Sequence, residues 1–283
     1  MIEGITKRFG ALVEAGPCPK CGEPMMKWGN KNPDGSERCP PVCIAVGCGH
    51  REMINRNNKK NQVIADESVR KAAELKMINN SIVTDTKVWR SSFESYKVVD
   101  QETQQAKFKA QNWMNKILNH ENLHVIFTGN PGAGKTHLAA AIIFEVLEKS
   151  NYQRTVGLIN FRELLEQLRV AINDDEVRKS IRGALMTEIK KMDVCVIDDL
   201  GSELGTAENP TQPTPFVIET LQSLSEARLE KATIFTSNLN SSQILSLYGE
   251  RIYSRMMNGA KVDDKLSAFR FRETTDKRRN PIA

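Results

Sequence analysis

From residue 123 onward, short runs of apolar residues alternate with longer amphipathic stretches. The apolar runs cover 123–128, 154–159, 193–198 and 232–237, with a weaker run at 267–272. The stretches between them predict helices over 135–149, 161–171, 177–191, 215–230 and 242–247. Continuous apolar strands that alternate with helices are typical of a mostly parallel sheet covered on both faces. The pattern therefore predicts an α/β fold with a mostly parallel five-stranded sheet.

The residues before 123 follow a different pattern. They contain polar helical material over 55–76 and a second helix candidate over 107–118, which carries several apolar side chains. Farther along, the turn-rich segment 201–215 predicts an exposed loop. We divide the chain into a small cysteine-rich domain (1–55), a helical linker (56–88) and a larger domain (89–283).

Composition restricts the class of protein further. Of the 283 residues, 40% are apolar and 27% charged, so the chain can form a large core, which excludes fibrous and wholly disordered classes. The longest unbroken apolar run, 138–144, is far shorter than the roughly 20 residues of a membrane-spanning helix. The N-terminus lacks the pattern of a secretory signal. We expect a cytoplasmic protein without a membrane partner, whose net charge of +5 permits contact with nucleic acid but does not require it.

Five of the six cysteines lie between residues 18 and 48, which in a reducing compartment indicates a metal site rather than disulfides. Cys18-Pro-Lys-Cys21 predicts a tight knuckle, and a second pair about twenty residues on completes a tetrahedral zinc site. For that pair we favour Cys43 and Cys48, because Cys48-Gly-His resembles the end of a zinc ribbon's second knuckle. Cys39 is the alternative ligand, and His50 also competes for these positions. Four thiolates leave no open position, so the predicted Zn²⁺ is structural.

A phosphate-binding motif directly follows the first apolar run. Residues 129–136 read GNPGAGKT and match the pattern GxxxxGK[ST], with a strand before it and a helix after it. We expect Lys135 to reach the β- and γ-phosphates of ATP or ADP, and the Thr136 hydroxyl to bind Mg²⁺. The predicted nucleotide-binding residues are Asn130, Pro131, Gly132, Ala133, Gly134, Lys135, Thr136 and His137.

Acidic and amide side chains follow two further strands. Asp198 and Asp199 end the run 193–198, where Asp198 is predicted to hold Mg²⁺ through water and Asp199 to polarise the attacking water. Asn238 follows the run 232–237 and is placed to orient that water. Taken alone, each is also typical of a strand that enters a turn. Together with the phosphate loop, the two acids predict the second half of a nucleotide site.

Four motifs, taken in their order along the chain, resemble those of a known protein family. GNPGAGKTHLA, VIDDLG, IFTSNL and YGERIYSRM together resemble bacterial and phage helicase loaders of the DnaC/DnaI type, over roughly residues 90–272. These loaders are AAA+ P-loop ATPases, and the transposition helper IstB is related to them. The resemblance implies that Asn238 is the sensor-1 residue. It also implies a catalytic arginine finger in the GER-x-x-SR segment, which contains Arg251 and Arg255.

By the same resemblance, the finger reaches the γ-phosphate of the neighbouring subunit, so self-association completes the active site. We favour Arg251 for this role, with Arg255 acting in cis as the alternative. Because the family often lacks the helical lid of larger AAA+ proteins, we expect no lid-borne sensor-2 arginine. The structural alternative for both residues is a helix surface with two solvated arginines.

Contact with single-stranded DNA is also an expectation from the resemblance, since related proteins carry an additional helical element near 161–191. Phosphate contacts need positive charge, which that segment supplies. Its basic residues are Arg162, Arg169, Arg178, Lys179, Arg182, Lys190 and Lys191. Acidic residues are interleaved with them, so a solvated amphipathic helix pair is the alternative. The basic end of the chain, Lys277-Arg278-Arg279, is typical of a solvated tail.

The favoured function is an ATP-dependent loader of the replicative hexameric helicase, acting in DNA replication. In it the zinc module and linker hold the helicase while the ATPase binds ATP and single-stranded DNA without sequence preference. One alternative is an IstB-like transposition helper, although its relatives usually start with a plain helical region. Another is a nucleotide-regulated adaptor with negligible hydrolysis. A zinc-ribbon transcription factor would leave the phosphate loop unexplained.

Overall fold

The structure, a computed structural model, describes residues 12–170, 175–206, 208–262, 265–274 and 276–277, without the side chains of 170–182 and 262–265. The chain divides into two compact units, Met1–Val69 and Arg70–Ala283. No helix in the described ranges combines the length and apolar character of a membrane span.

The first unit contains a small antiparallel sheet. Its strands are β1 (Leu12–Pro17), β2 (Pro24–Trp28) and β3 (Val42–Cys43), in the order β1-β2-β3. Helix α1 (His50–Asn79) begins directly after the last clustered cysteine, and the division between the units falls within it. The sequence pattern predicted the helix over 55–76, and its polar ends extend that span in both directions. The limits 1–55, 56–88 and 89–283 stay a prediction.

The second unit is built on one parallel sheet. Its five strands are β4 (His124–Gly129), β5 (Val156–Asn160), β6 (Val194–Leu200), β7 (Ala232–Ser237) and β10 (Ala268–Phe271). They lie in the order β10-β4-β7-β6-β5, and all neighbouring pairs are parallel. The predicted fold class is confirmed. A short antiparallel pair, β8 (Lys261–Val262) and β9 (Lys265–Leu266), precedes β10.

Helices cover both faces of this sheet. One face packs against α2 (Gln101–Leu118) and α3 (Lys135–Lys149) through a large apolar cluster. The other packs against α4 (Phe161–Val170), α6 (Pro215–Ala227), α7 (Ser241–Tyr248) and α8 (Glu250–Gly259), with α5 (Asp175–Lys191) beside them. Strands buried on both sides explain the continuous apolar runs of the sequence. Residue 171, the predicted last residue of the helix over 161–171, lies outside the described residues.

Helix α6 ends three residues before its predicted end, and the reason is a buried arginine. Arg228 follows the helix as its C-cap and is 1% exposed. Its guanidinium donates to the carbonyl oxygens of Ile189, Met192 and Ala232 at 2.8–3.0 Å. Burying this charge is tolerated because its donors meet hydrogen-bond acceptors. From the sequence pattern alone, such an arginine is predicted to lie on the exposed face of a helix.

Candidate nucleotide site and metal centre

The loop between β4 and α3 contains three glycines at positions where a side chain would be strained and would clash. Gly129, Gly132 and Gly134 have φ values of 121°, 77° and 96°, in the region that favours glycine. A Cβ on Gly129 would lie 2.1 Å from the carbonyl oxygen of Phe271. Gly134 caps α3 without a side-chain hydrogen bond, so the first amides of the helix face the loop. Such a helix start with a glycine-rich loop suits phosphate oxygens.

Lys135 is buried and lies across this loop. Its Nζ donates to the carbonyl oxygens of Gly129 (2.7 Å) and Asn130 (2.8 Å). It also donates to Oδ1 of Asn238 at 2.8 Å. The ammonium group thus joins the loop to the end of β7, where the sequence placed the water-orienting amide.

Asp198 is buried beside Thr136, as the predicted magnesium site requires. Its Oδ1 accepts hydrogen bonds from the hydroxyls of Thr136 (2.8 Å) and Thr236 (2.7 Å). Burial raises the pKa of Asp198 to about 6, although the two hydroxyls act in the opposite direction. Thr236 was missed by sequence reasoning, because a threonine inside a β-rich run is typical of strand propensity alone.

Asp199 is turned toward the site by an irregularity at the end of β6. Its φ of 57° lies in the left-handed region, and the pairing of β6 with β7 shifts between Ile197 and Leu200. The Asp199 amide donates to Oγ1 of Thr236 at 2.9 Å, and its carboxylate accepts from Nδ2 of Asn238 at 3.2 Å. Strained backbone of this kind is found preferentially at functional sites. Both carboxylates therefore end at the same edge of the sheet, although they are adjacent in sequence.

A cavity of about 620 Å³ opens beside these groups. This volume lies within the range of small-molecule sites. The predicted residues that line it are Pro131, Gly132, Gly134, Lys135, Thr136, His137, Asp198, Asp199 and Asn238. The rest of the wall comes from residues between 83 and 97 and from Leu158, Asn160, Thr236 and Lys277. Ala133 is buried behind the loop, and Asn130 lines a neighbouring cleft.

Tyr96 and Lys277 form an unpredicted wall of the cavity. The Tyr96 hydroxyl donates to the carbonyl oxygen of Ala133 at 3.3 Å, and its ring meets the His137 imidazole edge-on, with centroids 5.5 Å apart. The Lys277 ammonium lies 3.8 Å from the centre of the Tyr96 ring and donates to the carbonyl oxygen of Lys97 at 2.7 Å. Burial lowers the pKa of Lys277 to about 8. The residue expected in a solvated tail thus faces the nucleotide cavity.

The two predicted arginines lie together on α8, and neither is among the described residues that line the cavity. Both guanidinium groups contact Oε1 of Glu226 on α6, Arg251 at 3.0 Å and Arg255 at 3.1 Å. The Arg251 side chain is 66% exposed, whereas that of Arg255 is 21% exposed and also donates to the carbonyl oxygen of Arg251. Arg251 is therefore the more accessible of the two to another molecule.

Four cysteine sulfurs lie together in the first unit. The Sγ atoms of Cys18, Cys21, Cys43 and Cys48 are all within 4.8 Å of one another, with Cys18–Cys48 at 3.7 Å and Cys21–Cys43 at 3.5 Å. A zinc ion about 2.3 Å from four tetrahedral thiolates gives sulfur separations of about 3.8 Å. The group therefore fits Zn²⁺, and it contains the four cysteines that the sequence analysis favoured. Cys39, the alternative ligand, is outside it.

The local backbone also suits thiolates at this centre. Desolvation raises the pKa of Cys18, but hydrogen bonds from the amides of Lys20 and Cys21 and from the thiols of Cys21 and Cys48 together lower it to about 6. Desolvation and the neighbouring thiols raise the pKa values of the other three cysteines. The Ala45 amide donates to the Cys43 sulfur at 3.4 Å. Amides directed at sulfur stabilise the negative charge that a zinc ligand must carry.

The basic residues proposed for DNA contact lie on α4 and α5. Arg162 pairs with Glu166 at 3.4 Å, and the Arg169 guanidinium lies 5.6 Å from the centre of the Phe216 ring. Lys190 donates to Ser223 at 2.7 Å. Lys191 is exposed. The side chains of Arg178, Lys179 and Arg182 lie outside the described residues, as do Arg278 and Arg279.

Comparison with known proteins gives a family match and distant relatives. A family model described as IstB-like ATP binding protein matches residues 57–259. The chain is 25% identical to YdaV of Escherichia coli K12 over 219 residues, covering 77% of this chain and 78% of YdaV. It is 26% identical to the replicative helicase loader DnaC of the same strain over 168 residues, which are 59% of this chain and 63% of DnaC. The match thus spans less than two thirds of DnaC.

Solved structures share the fold. A crystal structure of the DnaC helicase loader superposes with a TM-score of 0.53 at 22% identity, covering 65% of this chain and 99% of that one. A crystal structure of DnaI superposes with a TM-score of 0.51 at 19% identity, covering 67% of this chain and 95% of that one. At this level of identity the superpositions show a common fold.

Proposed function

This chain belongs to the family of IstB-like ATP-binding proteins, and we propose that it acts as an ATP-dependent loader of the replicative hexameric DNA helicase. The supporting observation is the convergence of Lys135, Thr136, Asp198, Asp199 and Asn238 on one cavity, with two arginines on a separate helix. Similarity to the loader DnaC and to the folds of DnaC and DnaI favours this partner.

In the proposed reaction, the described side chains divide the work at ATP. Lys135 contacts the β- and γ-phosphates, and Thr136 with Asp198 would hold magnesium, which would supply positive charge to neutralise those phosphates. Asp199 accepts a hydrogen bond from the attacking water and polarises it, while the Asn238 amide, already bonded to both Asp199 and Lys135, orients it. Tyr96 and Lys277 form one wall of the cavity in which this reaction takes place.

Hydrolysis is completed between subunits. Arg251 reaches the γ-phosphate of the next subunit and stabilises the charge that develops there, an effect worth about 10³- to 10⁵-fold in other nucleotide hydrolases. Its high exposure supports this choice over Arg255, whose side chain packs back onto α8. Glu226 holds both guanidinium groups in one place, so the finger is presented in a fixed direction.

The domains have separate tasks in this proposal. The zinc module (1–55) and helical linker (56–88) hold the helicase, and the ATPase (89–283) binds ATP and contacts single-stranded DNA through phosphates. Zn²⁺ on Cys18, Cys21, Cys43 and Cys48 would let a segment with little apolar core keep its fold. Nucleotide state then alters the packing of subunits and so the grip on the helicase.

Co-purification with candidate hexameric helicases, with and without ATP, tests the proposal. Lys135→Ala should abolish nucleotide binding, whereas Lys149→Ala, at the exposed end of the same helix, should not. Cys21→Ala should abolish helicase binding, whereas Cys39→Ala should not, since Cys39 is outside the sulfur group. Failure of the wild-type protein to bind any replicative helicase would refute the loader assignment.

A transposition helper is the second candidate, since the matching family is described as IstB-like. The same pull-down, made with a transposase in place of the helicase, separates the two functions. Selective capture of the transposase would favour the helper. A turnover assay with the captured complex distinguishes an ATPase from an adaptor that binds nucleotide with negligible hydrolysis.

A further inference from the structure

The segment after β6 contains a carboxylate that the nucleotide chemistry does not use. Residues 201–215 were expected to form an exposed loop, but Ser202–Leu204 forms a 3-10 turn in which Leu204 is buried and Glu203 half-buried. Glu203 Oε2 accepts the Gly201 amide at 2.9 Å, and its Oε1 accepts a short hydrogen bond from the Tyr248 hydroxyl. Burial raises the pKa of Glu203.

Tyr248 stands at the corner between α7 and the arginine helix. It is 3% exposed and is the last residue of α7. Gly249, with φ 82°, both ends α7 and begins α8, so that Arg251 follows within the first turn. Glu203 therefore fixes, through one hydroxyl, the point from which the arginine helix starts.

The opposite end of α7 is fixed to the nucleotide site by different contacts. Asn240 caps α7 in a reciprocal pair with Gln243, two residues after the site residue Asn238. Just before it, the Ser237 hydroxyl donates to the carbonyl oxygen of Leu200 at 2.5 Å and joins the ends of β6 and β7. Both ends of α7 are thus attached to the two strand ends that carry Asp199 and Asn238.

We propose that Glu203 and Tyr248 are positioning residues that link the nucleotide site of one subunit to the arginine it offers to the next. Because both ends of the eight-residue helix α7 are held, the helix moves as a rigid body. A shift in the position of Asp199 therefore also displaces α8, instead of being lost through a change of angle at Gly249. This inference rests on the proposed function, since it presupposes a finger acting between subunits. A polar pair in this place fixes one geometry, which an apolar contact would leave adjustable.

Tyr248→Phe removes the hydroxyl and keeps the ring. We expect ATP hydrolysis to fall by about 10- to 100-fold, the cost of a catalytic group displaced by about 1 Å. Affinity for a fluorescent ATP analogue should change less than about twofold, because Tyr248 is not among the described residues that line the cavity. Tyr152→Phe is the matched control, since this half-buried tyrosine lies in the turn after α3. Wild-type hydrolysis by Tyr248→Phe would overturn the proposal.

Assemblies that contain two different variants distinguish a positioning role of Tyr248 from a general loss of structure. The Lys135→Ala variant cannot bind nucleotide but has a correctly placed Arg251, whereas the Tyr248→Phe variant keeps an intact nucleotide site. Mixing the two should restore hydrolysis well above that of either protein alone. Mixing Tyr248→Phe with Arg251→Ala should restore none, because both offer a defective finger.

The mixture of Lys135→Ala with Arg251→Ala shows which idea fails. If that mixture stays inactive, the finger between subunits fails, and the proposed function with it. If it regains activity while Lys135→Ala with Tyr248→Phe does not, only the positioning role is overturned. Should Tyr248→Phe fold poorly, Glu203→Leu replaces it in the same mixtures, because an apolar side chain of similar size accepts a hydrogen bond from neither Gly201 nor Tyr248.

Discussion

Asp198→Asn should stabilise the nucleotide-binding unit while it abolishes the response to Mg–ATP. The wild-type carboxylate is 6% exposed and holds its charge in a poorly solvated place. Both threonine hydroxyls, from Thr136 and Thr236, donate to the same Oδ1. An asparagine amide oxygen can accept both, so the substitution removes the charge without removing the hydrogen bonds.

The magnitude follows from the pKa of Asp198. Its rise from an ordinary 3.8 to about 6 in the folded protein corresponds to about 3 kcal/mol at neutral pH. Because the folded-state pKa is the higher one, the folded protein binds the proton more tightly than the unfolded chain, and wild-type stability rises as pH falls through 6. At pH 5 the wild type recovers about half of the 3 kcal/mol, so the advantage of the variant shrinks by that amount.

Calorimetry in magnesium-free buffer at pH 7.5 and pH 5 tests the predicted gain in stability. The unfolding transition of the nucleotide-binding unit is identified as the one that Mg–ATP shifts in the wild type. At about 2–4 °C per kcal/mol, the expected gain in Tm at pH 7.5 is about 6–12 °C. Mg–ATP at about 100 times its Kd should stabilise the wild type by about 2.7 kcal/mol, and Asp198→Asn should lack this magnesium-dependent gain. A variant less stable than the wild type at pH 7.5, or an advantage equal at both pH values, would refute the reasoning.

Two further substitutions test the zinc centre and the sheet. Metal analysis of the purified proteins should find one equivalent of zinc in the wild type and in Cys39→Ala but none in Cys48→Ala, because Cys48 belongs to the sulfur group and Cys39 lies outside it. Gly259→Ala should lower stability by about 1–3 kcal/mol, because its Cβ would lie 2.2 Å from Nδ1 of the buried His124. Gly183→Ala meets open space and should raise stability by up to about 1 kcal/mol; equal Tm values for the two alanine variants would contradict the clash.

Elements with a strong local pattern were predictable from the sequence. The strand over 232–237 and the helix over 135–149 have the predicted bounds. In both, an apolar run or amphipathic stretch is bounded by turn residues, so local sequence alone sets the ends. The small sheet β1-β2-β3 was not predicted, because its strands are short and mostly exposed or half-buried, and no apolar alternation marks them.

The residues of the candidate site also fall into two groups, those that a local sequence pattern predicts and those that it does not. The phosphate loop and the paired acids could be predicted because each lies within one local element, at a spacing that the chemistry requires. Thr236, Tyr96 and Lys277 could not, because each acts on a residue far away in sequence: Thr236 on Asp198, Tyr96 on Ala133, and Lys277 on the Tyr96 ring. Thr236 lies inside the IFTSNL motif without being its predicted site residue, and no chemical motif surrounds Tyr96 or Lys277.

Glu203 shows what this difference means for function. Its neighbours predicted an exposed loop, yet its carboxylate joins the amide of Gly201 to the hydroxyl of Tyr248, 45 residues away. A residue that performs chemistry must have the side chain and the spacing that its substrate requires, and this requirement produces a recognisable sequence motif. A residue that couples two elements must match only its partner in the same chain, and any pair with the same reach and polarity would serve. The proposed coupling between nucleotide site and subunit contact therefore rests on hydrogen bonds between distant residues, which a motif search does not detect.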